Sequence, residues 1–350
     1  CTRIFILACS SIFRTVFLVL LVGMEVWGAV PAAALEWDLQ TSDDGEVPLP
    51  NGGDEQTACL VGDLDGDGQN DIVIGERTLA PSVVAMFMRP GGWEIEVIEP
   101  ALLDIEAGGL LEDIDGDGDL DVLLGGGNAV NEIWWWENPG GPPYTTGWTR
   151  RLIKNSGATH QHDQVIGDFD GDGARELAFW NRNDGFKLFL ADFPADTKAT
   201  EPWPYVEIFA APAQAEGLTK GDIDLDGKVD IVGGGYWFEH TAGTSYTPHL
   251  IEADRTYTRT VVGQFVAGGR PEVVISPGDD VGPLTWNQWN GSAWVTTELD
   301  PVVRHGHTLE MGDVNRDGLL DFYSAEMHSP GAGDQARSRI FLNQGGGVFL

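Results

Sequence analysis

Three cysteines in 350 residues, Cys1, Cys9 and Cys59, leave no scope for a disulfide framework. Basic residues are scarce too: 20 Lys+Arg stand against 55 Asp+Glu, a formal charge of −35. Such a surface repels nucleic acid and anionic lipid, so neither is a partner. Long apolar runs are missing as well. The most apolar stretch, 16–22, is far short of the ~20 residues that a membrane-spanning helix needs. Net charge of this size strains a compact fold by self-repulsion unless something neutralises it.

What is present is an acidic loop that recurs. It reads DLDGDGQND at 63–71, DIDGDGDLD at 113–121 and DFDGDGARE at 168–176, then DIDLDGKVD at 222–230 and DVNRDGLLD at 313–321. Each copy places oxygen donors at positions one, three, five and nine and Gly at position six. A hard cation such as calcium needs several oxygens at about 2.3–2.6 Å, with a Gly to turn the loop around it. About five calcium ions are therefore expected, and they would offset about ten charges.

Short apolar runs flank every loop, CLVG before and DIVIG after the first, VIG before and ELAFW after the third. They are strand-length and rich in β-branched and aromatic residues. The helices and the position-twelve Glu of an EF-hand are absent. The loops recur about every 40–55 residues, a spacing that marks a repeat architecture. Two more strands fit each period, such as 83–88 and 93–98 around the turn Arg89-Pro90-Gly91-Gly92, or 132–137 and 148–153 around Asn138-Pro139-Gly140-Gly141. Four antiparallel strands per repeat predict an all-β propeller. At 264–272 the segment QFVAGGRPE keeps only Glu272 at a ligand position, which predicts a blade without metal.

The GDxDGDGxxD segment followed by an apolar strand resembles the FG-GAP/VCBS repeats of integrin-like, calcium-binding β-propellers, from about residue 55 to 350. The resemblance implies a metal loop joining the first two strands of a blade. It carries over as ligands Asp63, Asp65, Asp67 and Asp71, then Asp113, Asp115, Asp117 and Asp121, and Asp168, Asp170, Asp172 and Glu176. It continues to Asp222, Asp224, Asp226 and Asp230 and ends with Asp313, Asn315, Asp317 and Asp321. Carbonyls of Gln69, Asp119, Ala174, Lys228 and Leu319 would complete the shells. Glu176 and Asn315 depart from the all-Asp pattern.

Six blades are expected, at roughly 55–100, 104–155, 159–210, 213–252, 255–300 and 304–350. Residues 35–50 suggest a closing strand, and a seventh blade is expected beyond Leu350. Residues 1–34 read as a secretory signal peptide, with Arg3 and Arg14, an apolar core and Ala32-Ala33-Ala34 before Leu35. The mature chain is then expected outside the cell, at the cell surface or in the periplasm, with no insertion into the membrane.

In propellers of this kind the first strand of a blade lines the channel and starts on the face away from the loops. Counting back along those strands brings His160, His162, Glu216, His305 and His307 to one rim, with Tyr257 and Arg259 adjacent and His328 returning to it. Those residues are the candidate ligand-binding set. His162, His307, Tyr257 and Arg259 are the candidates for catalysis, and the histidines also suit zinc or another transition metal. Trp180, Tyr236 and Trp237 are candidate exposed stacking rings. Two functions follow. One is an extracellular recognition module for glycan or cell-surface protein. The other is a carbohydrate-active enzyme, a polysaccharide lyase or sugar dehydratase working by β-elimination.

Overall fold

The computed structural model describes residues 5–9, 16–21, 37–42, 45–53, 55–141, 144, 147–327 and 336–350. Among them there is no helix, and so none long and apolar enough to cross a membrane. Five antiparallel four-stranded sheets and a three-stranded sixth follow one another in chain order. They form the blades of a β-propeller, spanning 56–99, 110–154, 161–210, 219–250, 258–304 and 308–341. Contacts between the first strands of consecutive blades (Gln56–Gly62 with Leu110–Glu112, Gln161–Gly167 with Thr219–Gly221, Thr258–Gly263 with Thr308–Gly312) place these strands innermost. In the sixth blade the strands are Thr308–Gly312, Asp321–Ala325 and Ser338–Phe341, followed by a bridge from Asn343 to Phe349.

A further three-stranded sheet pairs Phe5–Cys9 with Val16–Leu21, and Val16–Leu21 with Trp37–Thr41. Trp37–Thr41, within the segment expected to close the ring, pairs here with Val16–Leu21.

The alternation that marks the strands also sets the packing. Second strands are buried on both faces, as in Asp71–Glu76, Asp121–Gly125 and Glu176–Asn181, because each lies between two neighbouring blades. Consecutive tryptophans in Ile133–Glu137 therefore serve opposite faces. Trp134 and Trp136 pack toward the first blade with Val73 and Phe87, while Trp135 packs toward the third with Leu177 and Phe179. Trp180 and Trp237 are 0% and 3% exposed. They fill interblade core and are not stacking platforms at the surface, which corrects that expectation. Tyr236 is half-buried against Phe209 and Phe238.

Candidate functional site

Each acidic loop closes on itself in the same way. The position-one carboxylate accepts the backbone N–H of position six, from Gly68 to Asp63 (2.9 Å), Gly118 to Asp113 (3.0 Å), Gly173 to Asp168 (3.0 Å), Gly227 to Asp222 (3.1 Å) and Gly318 to Asp313 (2.9 Å). Position six is left-handed throughout, with φ from 86° to 101°, which is why it is Gly. Position four is left-handed too. Gly66, Gly116 and Gly171 meet that need freely, but Leu225 (φ 66°) and Arg316 (φ 61°) do so under strain.

Position nine has two roles. Its carboxylate accepts the N–H of position two, from Leu64 to Asp71 (3.0 Å), Ile114 to Asp121 (2.9 Å), Phe169 to Glu176 (2.7 Å), Ile223 to Asp230 (2.8 Å) and Val314 to Asp321 (2.9 Å). In three blades the other oxygen takes the N–H of Met88, Asn138 or Asn343, which ties down the third strand. Burial, assisted by the neighbouring carboxylates, pushes Asp71, Asp121, Glu176 and Asp230 up to about 7.

These carboxylates converge. Asp63, Asp65 and Asp71 bring ligand oxygens within 4.8 Å of one another, as do Asp113 with Asp115 and Asp121, and Asp222 with Asp224 and Asp230. Asp168, Asp170, Asp172 and Glu176 do the same. Position three in the first two loops is buried and drawn to a cation: Asp65 Oδ2 lies 2.7 Å from Arg89 Nη1 and Asp115 Oδ2 lies 2.6 Å from Lys198 Nζ. A convergent all-oxygen donor set that already attracts positive charge fits a hard metal ion. These Asp-rich groups could each hold one. The fifth loop has Asn315 at position three, and its amide donates to Asp317 Oδ2 at 2.9 Å.

The degenerate loop of the fifth blade isolates the part of this design that needs no ion. Glu272 still accepts the N–H of Phe265 (2.9 Å) and adds that of Val266 (3.1 Å). Gln264, at position one, turns its amide inward and donates to the carbonyls of Val266 and Gly268. An uncharged donor holds the loop where the others present carboxylates.

A cavity of about 870 Å³ runs along the inner strands; Leu60, Val61, Leu111, Val261 and Met311 line its loop side, and Arg77, Glu106, His160, His162, Asp163, Arg182, Arg259, Asp279 and His307 line its opposite end. The inner strand of the third blade bulges between His162 and Gln164. The bulged residue, Asp163, is left-handed (φ 47°), so its side chain lies beside that of His162 instead of on the opposite face. His162 Nδ1 donates to Asp163 Oδ2 at 2.6 Å, and its Nε2 lies 3.6 Å from Glu216 Oε2. Gly217 N–H donates to the same Asp163 oxygen at 2.8 Å, linking the third and fourth blades. His160 (φ 72°) and Tyr257 (φ 50°) are left-handed as well. Such conformations persist only where the surroundings impose them, and they concentrate at functional sites.

Arg259 is the hub. It donates from Nη1 to Glu216 Oε2 (3.3 Å), from Nε to the His307 carbonyl (3.2 Å) and from Nη2 to His307 Nδ1 (3.3 Å). That leaves the proton of His307 on Nε2, 2.5 Å from Asp279 Oδ1. Arg182 lies 3.0 Å from Glu216 Oε1 and 3.6 Å from Asp279 Oδ2, with its guanidinium 5.0 Å above the Tyr257 ring. His160 Nε2 is 2.8 Å from Glu106 Oε2, and Arg77 approaches the other oxygen of Glu106 at 3.4 Å.

The electrostatics sort the two central histidines. Burial opposes charge on His162, but Glu216 and Asp163 outweigh it and raise its pKa. Burial and then Arg259 lower that of His307, against the pull of Asp279. Burial would raise Asp163, Asp279 and Glu106, yet all three are held low. Arg259 and His162 do this for Asp163, and the His307 hydrogen bond and charge do it for Asp279. The His160 hydrogen bond, with His162 and Arg77, brings Glu106 to about 2. Carboxylates outnumber guanidiniums there: Glu55, Glu106, Asp163, Glu216 and Asp279 face Arg77, Arg182 and Arg259, with His162 between Asp163 and Glu216. Both nitrogens of His162 and of His307 are already engaged, so either ring can move a proton only after one of these pairs opens.

The cavity thus gathers His160, His162, His307 and Arg259, with Glu216 fully buried beside them and Tyr257 under Arg182. His305 (φ 50°) is not among the lining residues, and His328 lies outside the described residues. Among the described residues the rim histidines form no convergent group with carboxylates of the kind found in the loops. Arg77, Arg182 and Asp279 were missed from sequence because they follow second strands, whose ends pair with the inner-strand starts (Glu76 with Gln56, Asn181 with Gln161, Pro277 with Thr258) but were not counted there.

Residues 113–179 match the family model of the FG-GAP-like repeat. No match was found among the curated proteins. Among solved structures, the V. cholerae biofilm matrix protein Bap1 is similar with a TM-score of 0.43 at 15% identity, over 76% of this chain and 43% of that one. The chain thus spans less than half of that structure's length. AofleA from Arthrobotrys oligospora gives 0.47 at 13%, covering 84% of each chain. The six-bladed Aleuria aurantia lectin gives 0.46 at 10%, covering 87% of this chain and 95% of that one.

Proposed function

We propose that this protein is a secreted, calcium-binding propeller that acts as an extracellular recognition module, taking glycan hydroxyl groups at the rim cavity. The observation that carries the ligand class is the mixture of charged donors and acceptors at the rim of one cavity of about 870 Å³. A simple anion placed there meets Glu106, Asp163 and Asp279, and a simple cation meets Arg77, Arg182 and Arg259. Hydroxyl groups both donate and accept, and so pair with either kind of wall. Calcium is the ion of choice for the loops because every donor is a hard oxygen.

The test is a glycan array probed with the calcium-saturated protein, followed by calorimetry on the best ligand. Arg182→Ala and Arg259→Ala are expected to weaken binding at least tenfold while calcium uptake stays intact. Glycan binding unaffected by both variants would refute this site. New absorbance from unsaturated sugars in the same incubations would favour the β-elimination reading, with His162, His307, Tyr257 and Arg259 as the groups to vary. N-terminal sequencing of exported protein checks cleavage near Ala34.

A further inference from the structure

Two of the acidic loops hold a cation supplied by the chain itself. Arg89 Nη1 lies 2.7 Å from Asp65 Oδ2 and 3.6 Å from Asp67 Oδ2. Lys198 Nζ lies 2.6 Å from Asp115 Oδ2, 3.9 Å from Asp117 Oδ2 and 2.8 Å from Glu137 Oε1. The two closest oxygens are the buried position-three atoms that lack an aligned hydrogen bond. Among the described residues, no lysine or arginine ion pair reaches Asp168, Asp170, Asp172, Asp222, Asp224 or Asp226.

Arg89 belongs to the blade whose loop it touches, but Lys198 does not. It comes from the connection 193–205 between the third and fourth strands of the third blade and reaches back to the loop of the second. That connection is well held. Trp203 is buried, its ring is tilted at 58° against Phe193 with centroids 4.8 Å apart, and its backbone N–H donates to the Ile153 carbonyl at 2.8 Å. Asp196 accepts the N–H groups of Lys198 and Ala199, and Arg151 donates to the Lys198 carbonyl at 3.0 Å.

We infer that Lys198 is a resident competitor for the cation of the second loop, weakening that site relative to the third and fourth loops and coupling its occupancy to the 193–205 connection. This rests on the reading of the loops as calcium sites. A calcium ion needs its oxygens at about 2.3–2.6 Å, the range in which the ammonium now holds Asp115. Ion and ammonium sharing one carboxylate repel each other. Even in high dielectric this changes affinity on the order of tenfold.

The experiment is calcium calorimetry on the full chain and on Lys198→Gln, with hydrogen exchange of 193–205 measured in EDTA and in saturating calcium. Lys198→Gln is expected to tighten one site by roughly tenfold, and an added Asp115→Asn change is expected to abolish that gain. In the unmodified protein, exchange within 193–205 should rise on calcium saturation. In Lys198→Gln it should already be high and should not respond. Normal calcium uptake with unchanged or weaker affinity in Lys198→Gln would overturn this inference alone. Absence of calcium binding in both proteins would overturn it together with the calcium reading.

Discussion

Replacing Glu272 separates the structural role of position nine from its metal role. In the fifth blade this carboxylate accepts the backbone N–H groups of Phe265 and Val266 and the side-chain amide of Gln288 (3.3 Å), beside a loop that lacks the other acidic ligands. Glu272→Ala strands two backbone donors at a site where Glu272 is 1% exposed. Each unsatisfied donor costs about 1–3 kcal/mol, so the loss should be about 2–6 kcal/mol. Glu272→Gln keeps one acceptor and should cost about 1 kcal/mol. Both losses should be the same in EDTA and in calcium, measured by urea unfolding followed through tryptophan fluorescence. Asp121→Ala removes the equivalent bonds from Ile114 and Asn138. It should therefore show a similar loss in EDTA. In calcium at a hundred times the site's Kd it should lose about 2.7 kcal/mol more, because ligand linkage disappears with the site. A Glu272→Ala loss below about 1 kcal/mol, or one that appears only in calcium, would refute the division of roles.

Three further outcomes are expected. The raised pKa of His162 gives stability that is full below its ordinary value and is lost as pH rises through the raised one. Lowered His307 gives stability that is lost as pH falls through its own lowered pKa, and Glu106 does the same down to about 2. The rim should therefore be most stable near pH ~6–7. Melting temperatures across pH in saturating calcium should show His162→Gln losing the alkaline decline, and superimposable profiles would contradict this. Asn343→Ala removes the ties to the Phe265 and Leu320 carbonyls (2.8 and 3.1 Å) and should cost about 1–2 kcal/mol in urea unfolding. Leu225→Gly relieves a left-handed residue where the first three loops already have Gly. It should raise the unfolding free energy by about 0.5–1 kcal/mol after the entropy cost of Gly, and a loss would contradict the strain argument.

The blades were legible because metal loop, flanking strands and turn punctuation recur together, so strand ends expected at 83–88 or 148–153 fall within a residue or two of those observed. The lost loop at 264–272 was legible for the same reason. Period-two counting grouped His160, His162 and His307, and all three line the same cavity. It could not foresee that a bulge at Asp163 would rotate that carboxylate beside His162. Counting along one strand also says nothing about Arg182 and Asp279, which reach the cavity from the far ends of second strands. Trp180 and Trp237, at the ends of strands, read as exposed platforms, and their burial between blades decided for core. The Asn-x-Gly-Gly turn at 138–141 looked like punctuation only, and the pattern returns at 343–346. The two asparagines in fact bridge to the carbonyls of Leu64 and Phe265 in the preceding blade.

The central claim is that five acidic loops bind calcium and hold the ring together. Calorimetric titration of the full, metal-stripped chain tests it most directly, against a variant with Asn at positions 63, 113, 168, 222 and 313. The account predicts uptake of about five ions by the unmodified chain, a large rise in melting temperature, and loss of both in the variant. No uptake at millimolar calcium, or uptake that survives all five substitutions, would contradict it.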